Sequence, residues 1–411
     1  MADVIVIGAG LSGLNCAALL REHGLDVEVV EASDGVGGRV RTDRVDGFLL
    51  DRGFQVLFDG YPEAQRALNL EALDLKAFLP GADVWWDGRM RTIGHPLRDP
   101  RSLPQVAKAG IGGPSDIKAA AKWLLEAKPL ATATAPEMTA DQRLRQLGFS
   151  ESVRERLLRP LYRGVFLDPE LNVSSHLIDQ VFSQMASGRT VVPARGMGAI
   201  ADQLAARLAG GSLRLDERVT KVGKDSVELA SGTKLKAKHA VVIAAGTADA
   251  CDLAGLPKPE PRSSTCLWYA AASSPAGKRI VLDGDGTGPV NNVAVMSDVA
   301  PSYAPAGQAL IAASCVGLPA GDDATLDAAA RAQLTAWFGS AVHSWRLLRV
   351  DRIEWAQHAQ PPGSLGTGAH WLRDKVVLAG DGTENASIDG ALRSGRRAAD
   401  LVIAATVAGR S

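Results

Sequence analysis

The sequence lacks the features that mark secreted, metal-binding or nucleic-acid-binding proteins. Its four cysteines lie far apart and form no Cys-x-x-Cys pair, which excludes a zinc ribbon and a thioredoxin-type motif. A chain of 411 residues needs no disulfides to build a stable core, so we expect reduced thiols and a cytoplasmic protein. The 45 basic and 46 acidic residues give a net charge of −1, which argues against nucleic acid as a partner.

Long hydrophobic runs and common catalytic motifs are also missing. The most apolar later stretches, 240–245 and 401–408, are far shorter than the roughly 18 residues that a membrane-spanning helix needs. We therefore expect no integral membrane segment. The helical pattern at 117–128 favours packing on its own domain, with peripheral membrane contact as the alternative. The histidines form no metal-type pairs and no Gly-x-Ser-x-Gly is present, so we predict neither a metal site nor a serine nucleophile.

The N-terminus does carry a dinucleotide-binding pattern. A β-branched run at 4–7 is followed by the motif Gly8-Ala9-Gly10-Leu11-Ser12-Gly13. An apolar helix and a second strand come next, and that strand ends at Glu31. Gly8 permits the tight turn, Gly10 lets the backbone approach a pyrophosphate, and Gly13 lets the helix pack closely on the strand. Glu31 is placed to accept the hydroxyls of an adenosine ribose.

The residues after Glu31 favour FAD over NAD. Ala32 begins a short loop that leads to Gly37-Gly38-Arg39. A Gly-Gly pair with an arginine is not needed to bind NAD, and it suits a loop that folds over a longer, doubly charged dinucleotide. Arg39 can offer its planar guanidinium to the phosphates. The plainer alternative is a glycine hairpin with a solvated arginine.

Three segments together resemble a known family. GAGLSGL, EASDGVGGRVRT and the stretch 51–57 (DRGFQVL) are similar to the flavin-containing amine oxidase superfamily, which includes monoamine oxidases, protoporphyrinogen oxidases and phytoene desaturases. The resemblance implies an α/β protein with a discontinuous, Rossmann-like FAD-binding domain and an inserted α+β substrate domain. The predicted FAD-binding segments are 1–75, 190–260 and 346–411, and the predicted substrate segments are 76–189 and 261–345.

The resemblance also implies which residues hold FAD. It places the segment from Arg52 to Gln55 beside the flavin ring, Val219 at the adenine, Asp381 at the ribityl chain or pyrophosphate, and the helix start at Ile388 against the N1/C2=O edge. No cysteine lies near 380–391, so the FAD is expected to be non-covalent. The full implied set is Gly8, Gly10, Leu11, Ser12, Gly13, Glu31, Ala32, Gly38, Arg39, Gly53, Phe54, Val219, Gly380, Asp381 and Ile388.

The substrate pocket is less marked in the sequence. In relatives the stretch 353–363 crosses the substrate cavity, so Trp355, His358 and Gln360 are pocket candidates, together with Gln55. His358 would suit a base at neutral pH, and a surface histidine is an equal alternative. Trp371 is a weaker pocket candidate. A further group either lines a pocket or braces a seam between domains: Arg159, Tyr162 and Arg163.

The sequence therefore predicts an FAD-dependent oxidoreductase that removes two hydrogens from a small or medium, rather apolar molecule and passes electrons to O2 or a quinone. Two features depart from monoamine oxidases: the stretch 386–389 has no aromatic residue, and Lys278 is the only lysine at 265–315. The alternative function is a redox-neutral flavin isomerase, or a protein that uses FAD structurally.

Overall fold

Two large β-sheets organise the protein in the computed structural model, which describes residues 1–94, 109–128, 133, 136–208 and 210–408. The strands in chain order are β1 Ala2–Ile7, β2 Val27–Val30, β3 Thr42–Val45, β4 Phe48–Asp51, β5 Leu57–Phe58, β6 Leu75–Ala77, β7 Ala82–Trp86, β8 Arg89–Ile93, β9 Thr190–Pro193, β10 Leu213–Arg214, β11 Val219–Val222, β12 Ser226–Leu229, β13 Lys234–Ile243, β14 Pro261–Ala271, β15 Ile280–Asp283, β16 Asn292–Val295, β17 Ala309–Val316, β18 Arg346–His358, β19 His370–Arg373 and β20 Val376–Leu378.

The helices lie between and around these strands. The α-helices are α1 Leu11–Glu22, α2 Pro62–Ala67, α3 Pro114–Glu126, α4 Ala140–Leu147, α5 Glu151–Val153, α6 Arg159–Phe166, α7 Ser175–Ser187, α8 Ala199–Ala205, α9 Thr247–Ala254, α10 Met296–Val299, α11 Asp323–Phe338 and α12 Ile388–Ala408. A π-helical turn at Arg154–Leu158 leads into α6. None of the helices in the described ranges has both the length and the apolar character to cross a membrane.

The first sheet has a parallel, Rossmann-like centre. Its order is β10-β2-β1-β13-β12-β11, with β20 and then β19 added at β13. β1 runs parallel to β2 and to β13, and β13 runs parallel to β20. The apolar residues of β1 are buried, as expected for a strand that is covered on both faces. Strand β13 changes partners along its length: its first half pairs antiparallel with β12, and its second half pairs parallel with β1 and β20.

The second sheet is almost entirely antiparallel. Its order is β18-β14-β17-β16-β15-β7-β8, and only the β15–β7 pair is parallel. Most of its strands come from the predicted substrate segments. β18 departs from this division: it falls within 346–411, yet it pairs along its length with β14 as the edge strand of the second sheet. If the two halves are defined by the sheet to which each strand belongs, the boundary between them lies after His358 and not at 346. With a parallel sheet and a separate antiparallel sheet, the α/β fold prediction is confirmed.

A buried carboxylate joins three distant parts of the chain. Asp51, at the end of β4, is fully buried. Its carboxylate accepts hydrogen bonds from the Thr42 hydroxyl at 2.5 Å, the Met197 N–H at 2.9 Å and the Tyr303 hydroxyl at 2.9 Å. Burial raises the pKa of Asp51 to about 6, although these three donors act in the opposite direction. Asp51 therefore connects Thr42 and Met197, which come from the predicted FAD-binding segments, with Tyr303, which comes from a predicted substrate segment.

The helix predicted at 117–128 exists as α3, but only part of its apolar surface is covered. Trp123 is buried, and its ring stacks on Phe182 with the two centroids 3.9 Å apart. Ile117 and Leu125 are 58% and 84% exposed. One side of α3 therefore packs on the rest of the protein through Trp123, whereas Ile117 and Leu125 on α3 remain in contact with solvent.

Candidate functional site

One cavity of about 1050 Å³ extends between the two sheets. This volume slightly exceeds the roughly 300–1,000 Å³ of a typical small-molecule site. One end is lined by the strand ends and glycine turns of the first sheet, and the other by the second sheet with helices α6 and α7. We call these the dinucleotide end and the substrate chamber. A cavity of this size and composition suits two ligands bound next to each other.

The N-terminal glycines act in three different ways. Gly8 has φ +99°, and an added Cβ would lie 2.8 Å from the carbonyl oxygen of Ala244. A Cβ on Gly13 would lie 1.9 Å from the oxygen of Gly8, so α1 packs on the turn at a distance that only glycine allows. A Cβ on Gly10 would meet no atom within 4 Å, because it would project into the cavity. The structure thus leaves open the space beside Gly10 where a pyrophosphate would lie.

The start of α1 offers free hydrogen-bonding groups to this space. No acidic residue lies in the first turn of α1, so its amide groups and partial positive charge are not neutralised. Ser12 lines the cavity, and its buried hydroxyl has no hydrogen-bond partner in the protein. A phosphate oxygen would satisfy both the hydroxyl and the free amides.

Glu31 is held at the end of β2 by three donors. Its carboxylate accepts the Ala9 N–H at 2.7 Å, the Ser33 N–H at 2.9 Å and the Ser33 hydroxyl at 2.7 Å. These bonds fix the orientation of the acid at the cavity wall, where Ala32 also lies. A carboxylate oriented in this way can accept hydroxyl groups from a ribose.

Arg39 and Asp381 face each other across the dinucleotide end. An Arg39 Nη lies 2.7 Å from an Asp381 carboxylate oxygen, and Arg39 also donates to the backbone oxygen of Ala356 at 2.9 Å. Burial alone would raise the pKa of Asp381, but the adjacent Arg39 guanidinium outweighs it and holds that pKa below its usual value. Asp381 is therefore ionised, and Arg39 is oriented by two acceptors.

The N-terminus of the last helix, α12, also points to the cavity. The Ser387 hydroxyl accepts the Gly390 N–H at 2.9 Å and so caps the helix. Ile388 lines the cavity. Asp389, in the first turn, is buried and ion-paired with Arg393, and it is not among the lining residues. The positive end of α12 is thus directed at a ligand beside Ile388.

These features fit FAD as the cofactor. The open space at Gly10 and the unpartnered Ser12 hydroxyl suit phosphates, Glu31 suits a ribose, and Ile388 at the helix end suits an electron-rich ring edge. Most of the residues that the sequence implies for FAD line this one cavity: Gly8, Gly10, Leu11, Ser12, Glu31, Ala32, Gly38, Arg39, Gly53, Phe54, Val219, Gly380, Asp381 and Ile388. Gly13 lies behind the wall, in keeping with its packing role.

His358 is not where the sequence analysis places it. Trp355 and Gln357 share the face of β18 that lines the cavity, and His358 falls on the other face because strand side chains alternate. Its Nδ1 lies 4.0 Å from an Asp381 oxygen, and its ring is buried. Burial lowers the pKa of His358, so the ring is neutral at pH 7. His358 therefore neither lines the cavity nor lies on the surface, the two positions that the sequence leaves open.

The other pocket candidates divide into lining and bracing residues. Trp355, Gln360 and Gln55 line the cavity, whereas Trp371 does not. The Gln55 amide donates to the backbone oxygens of Arg39 at 2.8 Å and Arg52 at 3.0 Å, which fixes its loop beside the dinucleotide end. The Gln360 oxygen accepts the Ala386 N–H at 2.8 Å. Both glutamines thus use part of their hydrogen-bonding capacity to position the cavity wall.

The arginine-rich segment before Pro169 braces the protein. Arg159 pairs with Glu155 at 2.6 Å, Tyr162 is buried in the hydrophobic core, and Arg163 donates to the side chain of Asn291. None of these three side chains lines the cavity. Neither alternative from the sequence fits: these side chains do not line the cavity, and their partners lie within the predicted substrate segments rather than across a seam between domains.

Several lining residues were missed by the sequence analysis. The polar side chains that line the cavity include five amides that the sequence did not single out: Gln180, Gln184, Asn292, Gln357 and Asn385. Two glutamines four residues apart on an otherwise apolar helix face were a detectable signal. The other three stand out only after folding. No cluster of three or more metal-ligating side chains occurs in the described part of the chain.

Comparison with known proteins agrees with this geometry. A sequence profile of the flavin-containing amine oxidoreductases matches residues 11–403. An L-amino-acid oxidase of Echis ocellatus is 32% identical over 118 residues, which are 28% of this chain and 23% of that protein. Protoporphyrinogen oxidase 2 of Arabidopsis thaliana is 26% identical over 219 residues, 51% of this chain and 41% of that protein. The matched regions therefore span less than half the length of either relative.

A solved structure supports the fold over nearly the whole chain. An oxidoreductase from Methanosarcina mazei superposes with a TM-score of 0.76 at 18% identity, and the match covers 97% of this chain and 99% of that one. Because the family profile extends over almost all of the sequence, the resemblance seen in the motifs is confirmed. The chain belongs to the flavin-containing amine oxidoreductase family.

Proposed function

We propose that this protein is an FAD-dependent oxidase, dehydrogenase or desaturase that removes two hydrogens from a small or medium, rather apolar organic molecule and passes the electrons to O2 or a quinone. The observation that carries the proposal is the continuity of the cavity, whose dinucleotide end opens directly into an apolar chamber. A bound flavin would supply the two-electron chemistry, and the chain would bind and orient the reactant.

The residues of this chain have distinct parts in the proposal. The amides at the start of α1, with Ser12 and Arg39, would hold the pyrophosphate, and Glu31 would hold the ribose. The start of α12, at Ile388, would stabilise negative charge on the flavin. No cysteine occurs at 380–391, which supports a non-covalent cofactor.

The chamber favours an apolar reactant. Its walls carry many aliphatic and aromatic side chains, among them Phe54, Leu161, Phe166, Met185 and Trp355. These side chains exclude water and hold the reactant by burial of apolar surface, at roughly 25 cal/mol for each Å². Family membership does not fix the substrate, since the two relatives act, by name, on amino acids and on a porphyrinogen.

The test is spectroscopic. The purified protein should show flavin absorbance, and heat denaturation should release that flavin into the supernatant if the cofactor is non-covalent. Anaerobic titration with amines, porphyrinogens and apolar polyenes should bleach the flavin band with one class, and air or a quinone should restore it. Absence of flavin would refute the proposal. A bound flavin that turns over a substrate without net electron transfer would instead establish an isomerase.

A further inference from the structure

The charged residues of the cavity are confined to one end. Seven of the described lining residues carry charged side chains, and all seven come from the segments 1–75, 190–260 and 346–411. The described lining residues of 76–189 and 261–345 include no Asp, Glu, Lys or Arg. A charged ligand group buried against these walls would lose its hydration without gaining an opposite charge, which is costly. The chamber walls therefore select against ions.

Asn292 presents an unused donor to this chamber. Its side chain is 4% exposed and lines the cavity. Asn291 donates its amide to the Asn292 oxygen at 2.9 Å and to the backbone oxygen of Pro160 at 3.0 Å, which fixes the orientation of both amides. The Nδ2 of Asn292 is left buried and without a partner. A buried donor without a partner destabilises the empty cavity, so a ligand that accepts this hydrogen bond is favoured.

Gln357 presents the complementary acceptor. Its Nε2 donates to the backbone oxygen of Val165 at 2.8 Å, so its Oε1 is the atom that remains free and buried. Asn292 lies next to Gly164, which precedes Val165 in α6: a Cβ on Gly164 would come within 3.2 Å of the Asn292 oxygen. The side chains with the free donor and the free acceptor thus both lie next to the C-terminal end of α6, at Gly164 and Val165.

A second pair of amides lies on α7. Gln180 and Gln184 are one turn apart on the cavity side of the helix, together with Leu177, Val181 and Met185. Gln180 is 7% exposed, and its Oε1 has no partner in the protein; the same holds for the oxygen of Gln184. Uncharged polar groups therefore recur within the apolar walls.

We infer that the substrate chamber recognises an uncharged molecule through a group that both donates and accepts hydrogen bonds, such as a carboxamide or lactam, bound by Asn292 and Gln357. The inference rests on the proposed function, since it names the substrate class of the same cavity. A neutral donor–acceptor group would satisfy Nδ2 and Oε1 together, whereas an ammonium or a carboxylate could satisfy only one of them.

The test uses the flavin-loaded protein and three probes with the same apolar body: 4-phenylbutanamide, 4-phenylbutylammonium and 4-phenylbutanoate. Binding is followed anaerobically by the perturbation of the flavin absorbance and by calorimetry. We expect the amide to bind about tenfold or more tightly than either ion. Similar affinities for all three probes would overturn the inference.

Variants assign the effect to the two residues. Asn292→Leu and Gln357→Leu should each weaken amide binding about tenfold. The control, Gln308→Leu, replaces an exposed glutamine outside the cavity and should leave binding unchanged. Asn292→Asp keeps the oxygen that accepts from Asn291 and adds a negative charge, so it should shift the preference to the ammonium probe. If all three cavity variants keep the wild-type preference, the residues are misassigned and the inference fails.

The outcomes separate the two proposals. Protein that binds no flavin refutes the proposed function itself. Protein with bound flavin that binds the three probes equally refutes only the inference about an uncharged substrate. Flavin content and melting temperature are measured for each variant, so that loss of folding is recognised before a binding result is interpreted.

Discussion

The two ends of the cavity are built from different parts of the chain. The dinucleotide end uses mostly backbone, namely glycine turns at Gly8 and Gly10 and two helix N-termini, with Glu31 and Arg39 as the main side chains. The substrate chamber uses side chains, which come from both large segments of the substrate half and from β18. Backbone can approach a ligand only where side chains are absent, so the first kind of site leaves a glycine pattern in the sequence and the second kind does not.

The largest expected effect tests the backbone-built end. Gly13→Ala should lower the melting temperature and abolish flavin binding, because its Cβ would lie 1.9 Å from the oxygen of Gly8 and a backbone oxygen cannot yield easily. Gly10→Ala should fold normally and still lose flavin, since its Cβ meets only cavity space. The ratio of flavin to protein and the melting temperature check both variants. Equal stability of the two would contradict the division of roles.

The next prediction concerns Asp51, which joins the two halves. Its folded-state pKa of about 6 lies above the ordinary aspartate value of 3.8, so the native state holds this proton more tightly than the unfolded state. The stabilisation is fully present below pH 4 and is lost as the pH rises through 6, by about 3 kcal/mol for a shift of this size. Asp51→Asn should remove this pH-dependent contribution to the free energy of unfolding.

The free energy of unfolding of wild type and of Asp51→Asn is measured with denaturant between pH 4 and pH 7. The contributions of the other titrating groups are the same in both proteins, so they cancel in the difference. The amide can still accept from Met197 and donate to Tyr303, so the variant is expected to fold. If the difference between the two proteins does not change with pH, Asp51 is not the group that couples the halves to pH.

Loss of the Arg39 charge should weaken FAD binding less than a change at the glycines of the dinucleotide end. Arg39→Ala should weaken FAD binding about 10- to 100-fold, the value of one or two charge-assisted hydrogen bonds. Arg41→Ala is the matched control, since Arg41 pairs with the exposed Asp34 and does not line the cavity. Flavin affinity is measured by reconstitution of the apoprotein. Equal losses in the two variants would show that the effect is one of general charge.

The smallest expected effect lies in the chamber. Trp355→Ala should raise the KM of an apolar substrate about tenfold, through the loss of buried aromatic surface, and leave flavin content unchanged. Trp371→Ala should leave both unchanged, because Trp371 is partly exposed on β19 and lies outside the cavity. A KM that rises in both variants, or in neither, would remove Trp355 from the substrate site.

The predictability of each residue follows from how far its partners lie along the chain. Glu31 and Gly10 were identified because the whole motif lies within one strand–helix–strand unit. Asp381 required the resemblance to the family, since its partner Arg39 is distant in sequence. His358 was misplaced because the sequence identifies the segment but not the face of the strand on which a residue falls.

The amides of the substrate chamber show more clearly what the sequence alone does not predict. The orientation of Asn292 depends on Asn291 and Pro160, and that of Gln357 on Val165, which is 192 positions away in sequence. Such contacts arise only when the second sheet and α6 meet. The sequence shows that the aromatic and lysine positions of monoamine oxidases are missing, but it does not identify the hydrogen-bonding groups that line the site.

Strand β18 serves both ends at once. The Ala356 backbone oxygen accepts Arg39 from the cofactor side, while the flanking side chains Trp355 and Gln357 project into the chamber. Because consecutive residues of a strand are spaced roughly 3.3 Å apart, the offset between the two ligands is set by the pleat of this one strand. Deletion of a single residue within it would turn Trp355 and Gln357 away from the chamber and turn His358 towards it. The register of β18 would therefore set the distance between a bound cofactor and its reactant.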